Sequence, residues 1–330
     1  MIESKLKNKR IVVTGGTGFL GKRIVNLLEE KNAKVIVPRR KNYDLTNLEQ
    51  TENLYEDFNP DILIHSAALY GGLAINERIP ADIYDYNMRM MLNVFRASIN
   101  YYGEPKIEKL VTIGSACSYP GSLGRFMIEE RMWDGPIDKS VRNYGTIKRL
   151  METTGHVYRD QFGLHSINLQ LATLYGEGDT FNPERSHVVA ALIRKFVEAK
   201  MEKKPYVEIW GSPDSVREFM YVEDCAEGIV RALEIFDGVE EVSDQSKYTL
   251  NIGTGQPTTI DYLAKTIKEI TEYSGDIIYN GKSSGVREKV LEVSRMKKIL
   301  LWEPQTSLEE GLKKTIEWYI INKEEADKRF

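Results

Sequence analysis

Short, almost unbroken apolar runs recur through the first half of the chain, separated by stretches with helical spacing. Residues 11–13 (Ile-Val-Val), 35–37 (Val-Ile-Val), 61–65, 109–113 and 165–169 read as strands. Runs this continuous belong to strands covered on both faces. Helices are predicted over residues 21–30, 87–101, 144–162 and 188–197. Strands alternating with helices predict βαβ units, and so an α/β fold built on a doubly wound parallel sheet. Beyond about residue 176 the rhythm loosens, with turn signals at Asn182-Pro183, Trp210-Gly211-Ser212-Pro213 and Gly253-Thr254-Gly255. This predicts a first domain over 1–175, to which the chain returns later, and a smaller α/β lobe mainly over 176–330. A chain of 330 residues fits two lobes, since single cores stop growing near roughly 250–300 residues. Residues 281–285 (Gly-Lys-Ser-Ser-Gly) are the most loop-like and are expected to move.

Between the first strand and first helix lies Thr14-Gly15-Gly16-Thr17-Gly18-Phe19-Leu20-Gly21. Glycine in this spacing allows a tight turn, close approach of backbone to a pyrophosphate, and close helix–strand packing. The helix N-terminus then presents free N–H groups to phosphate. In this strand–turn–helix context the pattern predicts a Rossmann dinucleotide site. An acid about 20 residues further on would select NAD. Here the sequence is Pro38-Arg39-Arg40-Lys41, and the first acid is Asp44. Guanidinium groups grip a 2′-phosphate, so the cofactor is predicted to be NADP(H), clamped by Arg39 and Arg40.

Tyr144 and Lys148 stand four residues apart, on one face of a predicted helix. An ammonium beside a phenol favours the phenolate and moves tyrosine toward acid–base chemistry. Ser115, ending the predicted strand at 109–113, would hold a substrate carbonyl. Composition changes little: charged residues are 28% and the formal charge is -4, which argues against a non-specific nucleic-acid binder. There are two cysteines, Cys117 and Cys225; this implies no disulfide framework and fits a reducing compartment. No apolar run reaches membrane-spanning length, and residues 1–10 are charged, so a cytoplasmic protein is expected. No metal site is expected. Cys225, His65, His156 and His165 are read as structural or surface groups.

The chain resembles the extended short-chain dehydrogenase/reductase superfamily and, within it, the GDP-L-fucose synthase family. The resemblance rests on Gly71-Gly72 with Asn76 and Pro80-Ala81-Asp82, then on the run from Gly114 to Pro120. It continues through Leu174-Tyr175-Gly176, Phe181-Asn182-Pro183, Ser186-His187-Val188, Trp210-Gly211-Ser212, Arg217-Glu218-Phe219 and Asn251-Ile252-Gly253-Thr254-Gly255. It implies C4 reduction by Ser115, Tyr144 and Lys148, and epimerisation at C3 and C5 by Cys117 and His187. A 4-keto group acidifies both neighbouring carbons, and thiol and imidazole exchange protons near neutrality. Cys117, two residues past Ser115, would point the same way on an extended strand end. The implied cofactor contacts are Gly15, Thr17, Gly18, Phe19, Leu20, Gly21, Ala67, Ile113, Leu171 and Leu174, besides Tyr144 and Lys148. Lys195, Trp210, Arg217 and Arg287 are implied to meet the GDP-sugar. A homodimer is implied, pairing helices 87–101 and 144–162 as a four-helix bundle; Met88, Met91, Leu92 and Phe95 form a stripe facing either the sheet or the partner.

Several positions depart from that family's pattern: Val141-Arg142-Asn143, Leu171-Ala172-Thr173, Lys195 for arginine and Pro213 for glycine. They leave the sugar open between a 6-deoxyhexose and a heptose, and leave open a C4 reductase without full epimerase activity. The alternative is a redox-neutral epimerase resembling GDP-mannose 3,5-epimerase, which carries lysine where His187 stands.

Overall fold

The computed structural model describes residues 4–328 except 241, 243–245 and 282–285; the predicted loop, apart from Gly281, lies outside the described residues. The first half runs β1 (Arg10–Thr14), α1 (Phe19–Glu30), β2 (Lys34–Ile36), α2 (Leu48–Phe58), β3 (Ile62–His65), α3 (Leu73–Arg78), α4 (Pro80–Ala97), β4 (Lys109–Ile113), β5 (Phe126–Met127), α5 (Arg142–Phe162) and β6 (Ser166–Leu171). The second half runs β7 (Thr173–Tyr175), α6 (Val188–Met201), β8 (Tyr206–Ile209), β9 (Val216–Arg217), β10 (Phe219–Tyr221), α7 (Val222–Ile235), β11 (Thr249–Ile252), β12 (Thr258–Thr259), α8 (Ile260–Ile270), β13 (Asp276–Tyr279), β14 (Val290–Leu291), α9 (Ser294–Leu300) and α10 (Leu308–Lys328).

Six parallel strands form one sheet in the order β2-β1-β3-β4-β6-β11. Successive side chains alternate between its faces. Ile11 and Val13 join Ile62, Ile64, Val111 and the buried sides of α1, α7 and α9 in one core. Val12, Leu63 and Leu110 enter the opposite core with α2, α4 and α5. Each fully buried aliphatic side chain contributes about 1.5–3 kcal/mol, so continuous apolar strands are sandwiched between helical layers. The last strand and two covering helices come from beyond residue 220. A third core gathers α6, α8, α10 and strands β8 and β10 around Phe181, Phe196 and Tyr319.

Some helix boundaries differ from those predicted. α4 begins at Pro80 rather than 87, with proline in the first turn, where its missing N–H costs nothing, and Asp82 beside it. It ends at Ala97 rather than 101, and α5 begins at Arg142 rather than 144. On α4, Met91 and Phe95 are buried in the core and Met88 packs against it, while Leu92 is 45% exposed. The stripe therefore divides between two faces. Among the described residues no helix is long and apolar enough to cross a membrane.

The chain leaves β1 for β2 on one side and β3 on the other, so the sheet order reverses between β1 and β3. Ligands of doubly wound sheets bind outside the strand ends at such a switch point.

Candidate active site

The glycine turn sits at that switch point. Gly15 has φ +71°, and a Cβ there would lie 3.0 Å from the Cα of Ala67, just past β3. A Cβ on Gly21 would come within 2.2 Å of the Gly15 carbonyl oxygen. Glycine is thus demanded both by left-handed backbone and by close approach. No side chain caps α1 at Gly18, and its first turn holds no acid, so its N-terminus suits an anion. The residues present therefore fit a dinucleotide. Thr17, Phe19 and Leu20 lie in this turn or the helix start, Ile113 ends β4, Leu171 ends β6, and Leu174 lies in β7. His65 is buried beneath, its Nδ1 3.1 Å from the Thr14 hydroxyl, and burial pushes its pKa down to about 3.

Arg39 and Arg40 follow β2 and are exposed. Arg40 is not a free clamp: its Nε donates to Asp44 at 3.4 Å, and its guanidinium lies 5.4 Å from the Tyr86 ring centre.

Beyond β4 the chain does not stay extended. Ser115 is extended (φ -160°), but Ala116–Ser118 form a 3-10 turn, with the Cys117 N–H donating to Ser115 Oγ at 3.2 Å. The strand-end reason for placing the two side chains together is therefore replaced by a turn closed on the serine itself. The Ser115 N–H and the Ser118 hydroxyl both donate to Gln170 Oε1, at 2.7 and 3.0 Å. α5 presses against this turn, because a Cβ on Gly145 would lie 2.3 Å from the Cys117 carbonyl oxygen. That contact explains the glycine between Tyr144 and Lys148.

Lys148 is buried and donates to the Ile113 carbonyl at 2.6 Å, with its ammonium 5.4 Å from the Tyr144 ring centre. Burial pushes this ammonium down to about 8. The Tyr144 phenol is held well above its usual range by burial and by Cys117 and Tyr70. Where the sequence predicted a lowering by the lysine, burial instead raises the phenol, a shift in the direction of its protonated form.

His187 opens α6 and stacks on Tyr70, with ring centres 6.1 Å apart and planes 9° from parallel. Burial, then Lys289, holds the imidazole below its usual range. The segment before it packs on Gly72, whose N–H donates to the Arg185 carbonyl at 2.9 Å and whose missing Cβ would meet the Ser186 oxygen at 2.5 Å. Asn76 ties the same corner by donating to the carbonyls of Gly71 and Gly72, each at 3.0 Å.

Toward the second lobe, Lys195 donates to the Glu208 carbonyl at 2.8 Å and lies 5.1 Å from the ring centre of Trp210, an exposed indole. Arg217 Nη1 donates to the carbonyls of Val216 and Arg287, at 2.8 and 3.2 Å. Arg287 is exposed and borders a cleft of about 380 Å³ with Gly121, Ser122 and Gly124.

Lys289 went unread in the sequence, and Glu218 was read only as a member of the Arg-Glu-Phe run, with no role. Lys289 donates to Cys117 Sγ at 3.2 Å; it stands in an Arg-Glu-Lys run that carries no motif. Buried Glu218 accepts from the N–H groups of Thr254, Gly255 and Leu291, at 2.5, 2.8 and 2.7 Å. This links the Arg-Glu-Phe run to the Gly-Thr-Gly turn and to β14. Burial raises its carboxyl, while the three N–H groups oppose that shift.

A glycine turn at a sheet switch point, with a tyrosine–lysine pair packed against the neighbouring strand end, defines a Rossmann-type dinucleotide-dependent enzyme. Residues 11–253 match the NAD dependent epimerase/dehydratase family, and the chain belongs to it. It is 34% identical over 318 residues to a GDP-L-fucose synthase of Sinorhizobium fredii, covering 96% of this chain and 97% of that protein. Among solved structures it is similar to a GDP-6-OMe-4-keto-L-xylo-heptose reductase from C. jejuni, with TM-score 0.88, 25% identity, and 97% and 99% of the two chains covered. It is also similar to a GDP-mannoheptose C4 reductase from Campylobacter jejuni with NADP bound, with TM-score 0.83, 26% identity, and 95% and 98% covered.

Proposed function

We propose that this chain is an NADP(H)-dependent epimerase/reductase of a GDP-linked 4-keto sugar. The observation that carries this reading is the grouping of two kinds of proton-handling group at one strand end. The Tyr144 phenol lies over Lys148, and the Cys117 thiol lies against Lys289, whose ammonium also acts on His187. The names of the relatives supply the GDP-sugar, and the neighbour with NADP bound supports the cofactor.

NADPH, when bound, supplies the hydride delivered to C4. Ser115 and Tyr144 then donate hydrogen bonds to the C4 oxygen. A phenol that keeps its proton at neutral pH suits this direction, because reduction of a ketone consumes a proton at oxygen. The same two donors stabilise an enolate oxygen, so protons at C3 and C5 become removable. Cys117 and His187 exchange those protons on opposite ring faces. Lys195 and Trp210 flank the base and sugar-diphosphate end, and Arg217 and Arg287 meet the diphosphate. We assign Gly15, Gly18 and Gly21 to the pyrophosphate and Arg39 and Arg40 to the 2′-phosphate.

We further propose a cytoplasmic homodimer paired through α4 and α5. Leu92 on α4 and Val157 on α5 support it, being 45% and 51% exposed on helices that pack side by side.

The test mixes purified protein and NADPH in deuterium oxide with GDP-4-keto-6-deoxymannose and with a GDP-4-keto-heptose. Products are read by mass spectrometry and NMR. Oxidation of NADPH with deuterium at C3 and C5 is expected for one of them. NADPH oxidation without ring deuterium would reduce the function to a C4 reductase, and turnover of neither sugar would reject the reading.

A further inference from the structure

Lys289 approaches Cys117 from a part of the chain that no motif marks. Its Nζ lies 3.2 Å from the sulfur, and both ends of the contact are fixed by backbone. On the lysine side, the Lys289 N–H donates to the Val216 carbonyl at 3.1 Å, and the Val216 N–H donates to that of Arg287 at 2.9 Å. The next two residues pair with Phe126 and Met127 of β5, and the Leu291 N–H is held by Glu218 at 2.7 Å. On the thiol side, the 3-10 turn is closed on Ser115 and backed by α5 at Gly145. This lysine is therefore held between two strands, unlike a surface lysine that wanders in solvent.

We infer that Lys289 is a positioning residue that arms Cys117, holding it as the thiolate that removes the proton from the sugar carbon beside the C4 carbonyl. The inference rests on the reading of Cys117 as an epimerase base. In the step, a substrate C–H bond breaks and its electron pair passes into the enolate. An S–H bond forms on Cys117, and Lys289 keeps its own protons throughout. The sulfur then loses its proton to water, and His187, taking a proton from water at its free ring nitrogen, passes one to the carbon from the opposite face to complete inversion.

The charges around the sulfur favour this assignment. Burial alone would raise the thiol, but the Lys289 ammonium, the Ser115 hydroxyl (until substrate takes its O–H) and the Arg217 guanidinium bring it below its ordinary value. Tyr144 beside it is a neutral phenol, and the Lys148 ammonium interacts with the same sulfur. His187 is held below its usual range by burial and then by the same lysine. Asp138, the acid that interacts with Lys289 and Arg217, is itself engaged by the Ser140 N–H and hydroxyl, at 2.9 and 2.5 Å. The same lysine therefore favours the thiolate and disfavours the imidazolium.

The chain's other cysteine, Cys225, is fully buried, so alkylation by iodoacetamide reports Cys117. In the native protein, the pH midpoint of the alkylation rate is expected below the free-thiol value of about 8.5. Lys289→Met should raise it by about one pH unit or more, cutting alkylation at pH 7 by about tenfold, and Lys289→Arg should restore most of the loss. Lys289→Gln, with NADPH binding as the check on folding, serves as a second variant. A native midpoint at or above about 8.5, or an unchanged midpoint in Lys289→Met, overturns the inference. Deuterium exchange at C3 and C5 in Cys117→Ser separates the two ideas. If exchange is lost there while the Lys289→Met midpoint is unmoved, the lysine's role fails alone. If exchange persists, the reading of Cys117 as base fails and takes the inference with it.

Discussion

At the scale of single residues, the site is governed by desolvation. Lys148 and Tyr144 are brought together inside the protein, and burial moves each toward its neutral form. For Tyr144 that is the form that donates a proton, so Tyr144→Phe should abolish NADPH oxidation with the keto sugar while leaving NADPH affinity within a few-fold. Unchanged turnover would show that another group protonates the C4 oxygen. Lys148 lies below its ordinary value, so its positive charge is present below about pH 8 and lost as pH rises through it. The kcat/KM for NADPH, which reports the free enzyme, should therefore fall on the alkaline side near pH 8; a profile flat to pH 10 would contradict a role for that charge.

At the scale of elements, the site depends on how closely α5 can approach the turn after β4. Intrinsic propensity favours alanine over glycine in a helix by about 1 kcal/mol, so Gly145→Ala judged locally should stabilise α5. The tertiary contact reverses the sign, because the added carbon would lie 2.3 Å from the Cys117 carbonyl oxygen, a backbone atom. Overpacking of this kind costs about 1–3 kcal/mol. Thermal unfolding should show a lowered Tm, and turnover should fall with it as the turn is pushed off Ser115. A variant as stable and active as the parent would mean that the helix can slide without cost. The end of β2 works differently, since Arg40 already has Asp44 and Tyr86 as partners. Arg40→Ala should weaken NADPH much more than NADH in a titration, and equal losses would remove it from the 2′-phosphate.

At the scale of the whole molecule, late segments of the chain complete the early fold. α7, β11 and α9 cover and extend the sheet begun at β1. The segment entering β14 brings Lys289 back to the turn after β4 where Cys117 sits. This return also explains why Glu218 is buried with three N–H groups: it joins β9, the turn after β11 and β14 in one place. On the outer surface, α4 and α5 leave Leu92 and Val157 exposed. Leu92→Asp should convert a dimer to a monomer in size-exclusion chromatography with light scattering. A parent protein already monomeric at micromolar concentration would reject pairing through these helices.

The apolar runs and the glycine turn determined the sheet and its ligand end by themselves, because burial on both faces and left-handed or crowded backbone restrict which residues fit locally. Tyr144 and Lys148 were legible for the same reason, four residues apart on one helix. Only the tertiary structure decided what surrounds them. Lys289 is 172 positions from Cys117 along the chain, and no local pattern encodes a contact made through two separate strand pairings. The balance of charge and burial was equally out of reach, since the cost of desolvating a phenol or an ammonium depends on everything packed around it.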